Sequence, residues 1–384
     1  MNFASQRAVS LRLGRIHSCS VCLSRGMASR LVAVPEARRF VREAMEAVGT
    51  CREHATALAD LLVEADCRGH YSHGLNRLEL YLEDVKIGMC ASNNKPAVLK
   101  ESPSTAWVDG NNSLGAVVGN YCMQLAMDKA RATGVGWVSA KGSNHFGIAS
   151  WYSMMAAKQG LIGMSFTNTS PVMSPTRAKS AALGTNPISV AAPASQGDSF
   201  VLDMATTAVA IGKIEMQLRK NEPIPEGWAQ GPDGRPTTDP GLAIRTACLS
   251  PLGGEERTSG YKGSGLSLMV ETFCGILSGS LFGPHVHMWA PVDNPKVADL
   301  GQSFVALDPG CFAPGFQDRM SDLLQHLRGM EPTDPQKPVL VAGDKEWMHN
   351  QMVDEQGGIL YHDNQLTAAA VLAETLGIRP MKVN

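Results

Sequence analysis

His145 lies in Lys141-Gly142-Ser143-Asn144-His145-Phe146-Gly147-Ile148-Ala149-Ser150, between a β-like run at 135–140 and a helical run that begins near Ile148. A turn just outside the carboxyl end of a strand is where α/β proteins tend to gather chemistry. An imidazole there titrates near neutral pH and is suited to general acid/base work. Asn144 is expected to hold the ring in one tautomer. Upstream, Ser72-His73-Gly74 forms a second turn before a helix at 76–86, with Arg77 inside the first helical turn. A guanidinium in that place could grip a carboxylate bidentately. Each feature also has a plain structural reading: His145 as a bonded loop histidine, Ser72 as a helix cap, Arg77 as a solvated helix residue. A third segment, 200–206, reads as a strand ending in Asp203-Met204-Ala205-Thr206.

Other chemistries find less support. The G-x-G-x-x-G turn of an ordinary dinucleotide fold is missing; Gly263-Ser264-Gly265 comes closest, without the third glycine or a leading strand. P-loop, H-E-x-x-H and G-x-S-x-G patterns are also absent. Cys67-x-x-His70-x-x-His73 and His285-Val286-His287 have metal-ligand residue types, but neither forms a recognised closed set and no third group completes them. A metal-dependent hydrolase therefore stands as a minor alternative. Cys19 and Cys22 form a C-x-x-C pair inside a presumed leader.

The elements that must position these groups belong to a chain of 384 residues, 44% hydrophobic and 18% charged, enough for a large core in two domains or one large α/β unit. A net charge of −2 and scattered basic residues exclude a nucleic-acid footprint. No apolar run reaches the roughly 20 residues of a membrane span. Nine irregularly placed cysteines fit a reducing compartment. Residues 1–30 carry Arg7, Arg12, Arg15, Arg25 and Arg30 with serines and no acidic residue, the composition of a mitochondrial transit peptide. The expectation is a mitochondrial matrix protein; the alternative is a cytoplasmic form started at Met27.

Periodicity predicts helices at 35–48 and 50–66, the second opened by a capping box at Thr50-Cys51-Arg52-Glu53. The helix at 76–86 places Leu78, Tyr81, Leu82 and Val85 on one face. A strand at 105–109 and a helix at 116–132 come first; strand 135–140, helix 148–159 and strand 161–167 then follow with short connections, an alternation that argues a βαβ unit. Strands at 188–192 and 200–204, a helix at 206–220 and a long turn-rich loop at 222–240 follow. A helix at 264–278, strand 303–307, helix 316–327, strand 338–341 and helices 345–352 and 365–376 complete the chain.

Taken together the motifs are recognisable. Ser72-His73-Gly74-Leu75-x-Arg77, Ser143-Asn144-His145-Phe146-Gly147, Leu183-Gly184-Thr185-Asn186-Pro187, Asp203-Met204-Ala205-Thr206, Gly212-Lys213-Ile214, Pro225-Glu226-Gly227-Trp228, Pro236-Thr237-Thr238-Asp239-Pro240, Pro251-Leu252-Gly253-Gly254 and Tyr261-Lys262-Gly263-x-Gly265-Leu266 occur in family order. From about Leu31 to the C-terminus the chain resembles the malate/L-lactate dehydrogenase family of the second type, which includes ureidoglycolate, sulfolactate, diketogulonate and cyclic imino-acid enzymes.

The resemblance implies an α/β fold with a non-Rossmann NAD(P)-binding domain on a mixed sheet at 114–299. It also implies a mainly helical substrate domain from 31–113 and 300–384, and a homodimer. The implied activity is an NAD- or NADP-dependent interconversion of a small 2-hydroxy acid and its 2-oxo acid. Carried over by motif, His145, His73 and Ser72 serve proton transfer, and Arg77 and Thr185 hold the substrate carboxylate. His145, Phe146, Gly147, Ile148, Ala149, Thr169, Asp203, Met204, Ala205, Lys262 and Gly263 contact the dinucleotide, and no metal is involved. Asp203 on a ribose hydroxyl leans the expectation to NAD. Ser264, Gln302, Gly231 and Pro284-His285-Val286-His287 depart from the commoner pattern. They leave a non-catalytic dinucleotide-binding or structural relative as the alternative from another class.

Overall fold

The computed structural model describes residues 29–289 and 295–383. Strand β1 (Ser29–Val32) leads into helices α1 (Val34–Ala47) and α2 (Arg52–Cys67), an antiparallel hairpin whose first helix carries Pro35 in its first turn, where a missing N–H costs nothing. The capping box does not form: Cys51 is the N-cap, and its N–H is taken by Asn93 Oδ1 at 2.7 Å. Asn93 also donates to Gly49 O at 2.8 Å, so one distant side chain bridges the turn and replaces the local cap. Cys19 and Cys22 and most of the expected leader lie outside the described residues, while Ser29 and Arg30 belong to β1.

Helix α3 (Leu78–Lys86) is preceded by two short 3₁₀ turns, Tyr71–His73 and Leu75–Arg77. Then come β2 (Ala97–Glu101), β3 (Thr105–Asp109), α4 (Gly115–Thr133), β4 (Val135–Ser143), α5 (Ser150–Ala157), β5 (Ile162–Thr167), β6 (Ile188–Pro193) and β7 (Ser199–Met204). The chain continues through α6 (Ile211–Lys220), β8 (Ala229–Gln230), β9 (Pro236–Thr237), α7 (Pro240–Thr246) and α8 (Gly260–Glu271), which runs on into a π-helical turn at Thr272–Ile276. It ends with β10 (Leu300–Leu307), α9 (Phe316–Arg328), α10 (Asp344–Gln356), β11 (Ile359–His362) and α11 (Asp363–Leu376).

Seven strands form one mixed sheet in the order β2-β3-β4-β10-β5-β6-β7. β3 and β4 pair in parallel across α4, a true βαβ unit. β4 and β5 run the same way but are separated by β10, which is antiparallel to both. The sheet takes strands from both sides of each expected domain boundary, since 97–109 precede residue 114 and β10 begins at Leu300. Two sequence expectations fail locally. The helix expected at 206–220 begins only at Ile211, because Thr206 N–H and Oγ1 are held by Thr185 O. The strand expected at 338–341 finds no ladder; its end is fastened by Val341 N–H to Asp344 Oδ2 at 2.9 Å.

Two cores flank the place where the histidines lie. One packs α1, α2, α3, β11 and α11 around Phe40, Leu58, Leu61, Leu62, Leu78 and Tyr361. The other packs α4 and α5 onto the sheet through Met123, Met127, Val138, Tyr152 and Phe304. Burial on this scale, at about 25 cal/mol per Å² of apolar surface, is what holds a helical layer drawn from both chain ends against the sheet.

Candidate active site

The turn after α2 is set by a buried carboxylate. Asp66, in the last turn of α2, accepts the Leu75 N–H at 3.0 Å and the Tyr361 hydroxyl at 2.6 Å, both on Oδ2. Gly74 lies so close that a Cβ there would sit 1.9 Å from Asp66 Oδ1. Only glycine lets the turn close onto that carboxylate. Inside the turn, Ser72 Oγ and His73 Nδ1 share a hydrogen bond of 2.9 Å, and Arg77 Nε donates to Ser72 O at 2.6 Å. Ser72 therefore does not cap α3; it holds the histidine with its side chain and the arginine with its carbonyl. The two terminal amino groups of Arg77 meet no acceptor among the described residues, which leaves a fork for a carboxylate.

His145 follows β4 and is turned back by Gly147 at φ +72°, where an added Cβ would press on Leu61. Tyr81 Oη lies 2.6 Å from His145 Nδ1, and the Gly147 N–H donates to the same nitrogen at 3.3 Å. A backbone N–H can only donate, so the favoured neutral tautomer carries its proton on Nε2. Asn144 does not set the tautomer as expected; its amide donates to Asn112 and to Ser113 O. The faces of the ring are occupied as well. His73 stacks at 5.9 Å with 22° between planes, and Trp289 stacks at 4.0 Å with 19°.

Burial pushes His145 well below the usual imidazole range, helped by His73 and Arg77. His73 is lowered to about 4, first by burial and then by Arg77 and His70. Both rings are neutral at pH 7, which corrects the expectation of a group titrating near neutrality: desolvation outweighs everything else here.

Thr169 and Thr185 lie side by side. Their hydroxyls are 3.2 Å apart, and the Thr185 N–H donates to Thr169 Oγ1 at 2.9 Å. Asn186 Oδ1 accepts the Thr169 N–H at 3.1 Å, and Asn186 Nδ2 donates to Glu271 Oε1 at 2.9 Å. Ser170 ties this corner to the histidines, since its Oγ accepts the Trp289 N–H at 2.9 Å.

The remaining candidates are placed as follows. Asp203 Oδ2 accepts the Ser150 N–H at 2.8 Å, so its half-buried carboxylate faces the start of α5, and burial raises its pKa. Met204 and Ala205 follow at the end of β7. The Phe146 ring is core, stacked on Tyr152 at 4.8 Å; Ile148 and Ala149 are buried too, so 146–149 can offer a ligand little besides backbone. Lys262 is exposed on α8, and Gly263 lies against the Leu252 backbone; no hydrogen bond or ion pair joins either to the histidines.

Tyr81, Trp289, Asp66 and Glu271 were not singled out by sequence. Tyr81 carried a signal in its helix-face spacing from Arg77, but it read as core. Among the described residues no three His, Cys, Asp or Glu side chains converge on a metal position. His349 is bonded to Cys67 O, and burial pushes the Cys67 thiol up to about 12, unlike a thiolate ligand.

A family match described as malate/L-lactate dehydrogenase covers residues 32–368. The chain belongs to that family. The malate dehydrogenase of Pyrococcus abyssi is 38% identical over 90% of this chain and 94% of its own. The ureidoglycolate dehydrogenase (NAD(+)) of Escherichia coli O157:H7 is 32% identical over 80% of this chain and 86% of its own. The solved malate dehydrogenase of Pyrococcus horikoshii OT3 superposes with a TM-score of 0.84 at 33% identity, covering 93% of this chain and 99% of that one. This member of the malate/L-lactate dehydrogenase family is an NAD(P)-dependent oxidoreductase of small 2-hydroxy acids and their 2-oxo partners.

Proposed function

We propose that His145 Nε2, His73 and the free fork of Arg77 form the reacting centre, acting on malate or a close 2-hydroxy acid with a preference for NAD. The observation that carries this is a single one. Two neutral stacked imidazoles, whose Nε2 atoms meet no described acceptor, lie beside an arginine with unused amino groups. A 2-oxo acid presents a carbonyl next to a carboxylate, and this pairing answers both.

The residues fit a nicotinamide dinucleotide by donor set: a half-buried carboxylate at Asp203, the hydroxyl of Thr169, and exposed charge at Lys262. When bound, that group supplies the hydride. The protein's part is then positional and protonic. Arg77 and Thr185 hold the carboxylate, which turns the carbonyl oxygen to His145 Nε2–H. As charge develops on that oxygen, Nε2 gives up its proton while Nδ1 takes one from the Tyr81 hydroxyl, which is refilled from water. The ring stays neutral throughout, in keeping with its lowered pKa. Ser72 orients His73 as a second neutral base.

A panel of 2-oxo acids, malate's oxo partner among them, assayed with NADH and NADPH tests substrate and cofactor. His145→Ala is expected to lower kcat by at least about a thousandfold and leave dinucleotide affinity within a few-fold. A variant that turns over normally sinks the assignment.

Exposed Tyr261, Leu268, Ile276 and Leu277 on α8 and the π turn support a homodimer, to be checked by light scattering. The arginine-rich, acid-free residues 1–28 support the mitochondrial matrix, with a cytoplasmic product from Met27 as the other outcome of imaging a tagged full chain.

A further inference from the structure

Trp289 comes two residues after Pro284-His285-Val286-His287, the stretch that departs from the commoner family pattern. Its indole covers one face of His145 at 4.0 Å, and its edge meets Tyr81 at 5.3 Å and 68°. It is fastened from two sides. The indole N–H donates to Asp84 Oδ2 at 2.8 Å on α3, and the backbone N–H donates to Ser170 Oγ at 2.9 Å beside Thr169. Ser170 Oγ in turn donates to His287 O at 2.9 Å, which closes a small ring of bonds around the tryptophan's approach.

We propose that Trp289, latched by Asp84, is a positioning residue that fixes the plane of His145 and keeps water off its face, so that only the Nε2 edge meets substrate. The inference rests on His145 being the reacting group. Trp289 stacks on the imidazole at 4.0 Å and His73 lies near-parallel to it at 5.9 Å, so the ring cannot tip without breaking a stack, and its Nδ1 is already held by Tyr81 and Gly147. A plane fixed by the indole and by the Nδ1 bonds keeps the Nε2–H vector on one line, and misplacement by about 1 Å can cost on the order of a hundredfold in rate. The same cover sustains the desolvation that keeps the ring neutral. The titratable and charged groups facing it are His73 and Arg77 from the 71–77 turn, Tyr81 and Asp84 from α3, and His287 from Trp289's own stretch. None is a carboxylate in contact with the ring. The Asp84 carboxyl is turned to the indole, and its pKa is raised by burial.

The test follows 2-hydroxy acid oxidation by the full chain between pH 5 and 9, where a cationic His145 could take no proton. Trp289→Ala is expected to lose about tenfold in kcat at pH 8 and to gain an acid limb toward pH 6.5, as water reaches the ring. Asp84→Ala, which unlatches the indole and keeps it, is expected to show the same limb with a smaller loss. Trp289→Phe keeps a flat ring but loses the N–H that Asp84 holds, so it is expected to match Asp84→Ala, with the same limb and a loss smaller than that of Trp289→Ala. A purely packing role would lower thermal stability in Trp289→Ala and leave the pH profile unmoved; that result overturns the inference. Failure of the underlying reading shows separately, as normal turnover by His145→Ala.

Discussion

Two buried carboxylates each anchor one half of the site, and they are satisfied in opposite ways. Glu271 stands behind the threonine corner and uses both oxygens: Oε1 accepts Asn186 Nδ2 at 2.9 Å, and Oε2 accepts Asn168 Nδ2 at 3.2 Å and the Gly283 N–H at 3.1 Å. Asp66 stands behind the histidine turn and uses only one. Both its donors converge on Oδ2, and Oδ1 is buried without a partner. Burial disfavours charge unless donors replace water, so Asp66 is pushed up to about 7 while still holding Leu75 in place. The two differ in the number and placement of their donors, not in depth of burial.

The largest effect that would test this contrast is Glu271→Gln. Whichever way the new amide turns, its NH₂ faces a donor, Asn186 on one side or Asn168 and Gly283 on the other. The expected loss is roughly 1–3 kcal/mol in chemical denaturation, the usual cost of an unmatched buried polar group. Because Asn186 also receives the Thr169 N–H and Thr169 bonds Thr185, substrate KM should rise in the same variant. Equal losses in Glu271→Gln and Asp66→Asn would erase the contrast.

Arg77→Lys probes the half that Asp66 holds. Lysine keeps the charge but loses both the Nε bond to Ser72 O and the planar fork. Steady-state kinetics should show KM for the 2-oxo acid raised about tenfold with kcat within about threefold, the pattern of lost carboxylate binding. An unchanged KM would put the clamp elsewhere, with Thr185 the first position to examine.

Much of this was legible in the chain, for identifiable reasons. Strands and helices around 105–167 follow strong local periodicity and formed as elements; the βαβ unit read at 135–167 did not close, since β4 and β5 are not neighbours. The insertion of β10 between β4 and β5 was not legible, since a pairing across more than a hundred residues leaves no local trace. His145, His73, Arg77 and Thr185 were named as candidates from their motifs. Tyr81 and Trp289 were not, because an aromatic at a helix-face or loop position has the same appearance whether it fills a core or steadies an imidazole. The lowered pKa of His145 was not foreseen for a related reason: a free imidazole's pKa is local, but its burial is tertiary.

The smallest effect, and the one whose sign is most informative, is Asp66→Asn. Asparagine Oδ1 can accept both the Leu75 N–H and the Tyr361 hydroxyl, so the histidine turn should keep its shape, and kcat/KM should stay within about twofold. Stability responds differently. A carboxyl raised from 3.8 to about 7 holds a proton in the folded chain that the unfolded chain has lost, so the wild-type protein is progressively destabilised as pH rises from about 4 to 7. His73, lowered to about 4, acts the other way: as pH falls from 6.5, the unfolded chain takes up a proton that the folded ring refuses, and stability drops toward acid. The two slopes oppose each other between pH 4 and 6.5 in the wild type. Asparagine removes only the first, so melting curves should put the variant near the wild type at about pH 4 and above it at pH 8. Wild-type and variant curves that run parallel across that range would mean that Asp66 keeps its charge when folded, as a carboxylate with enough donors does.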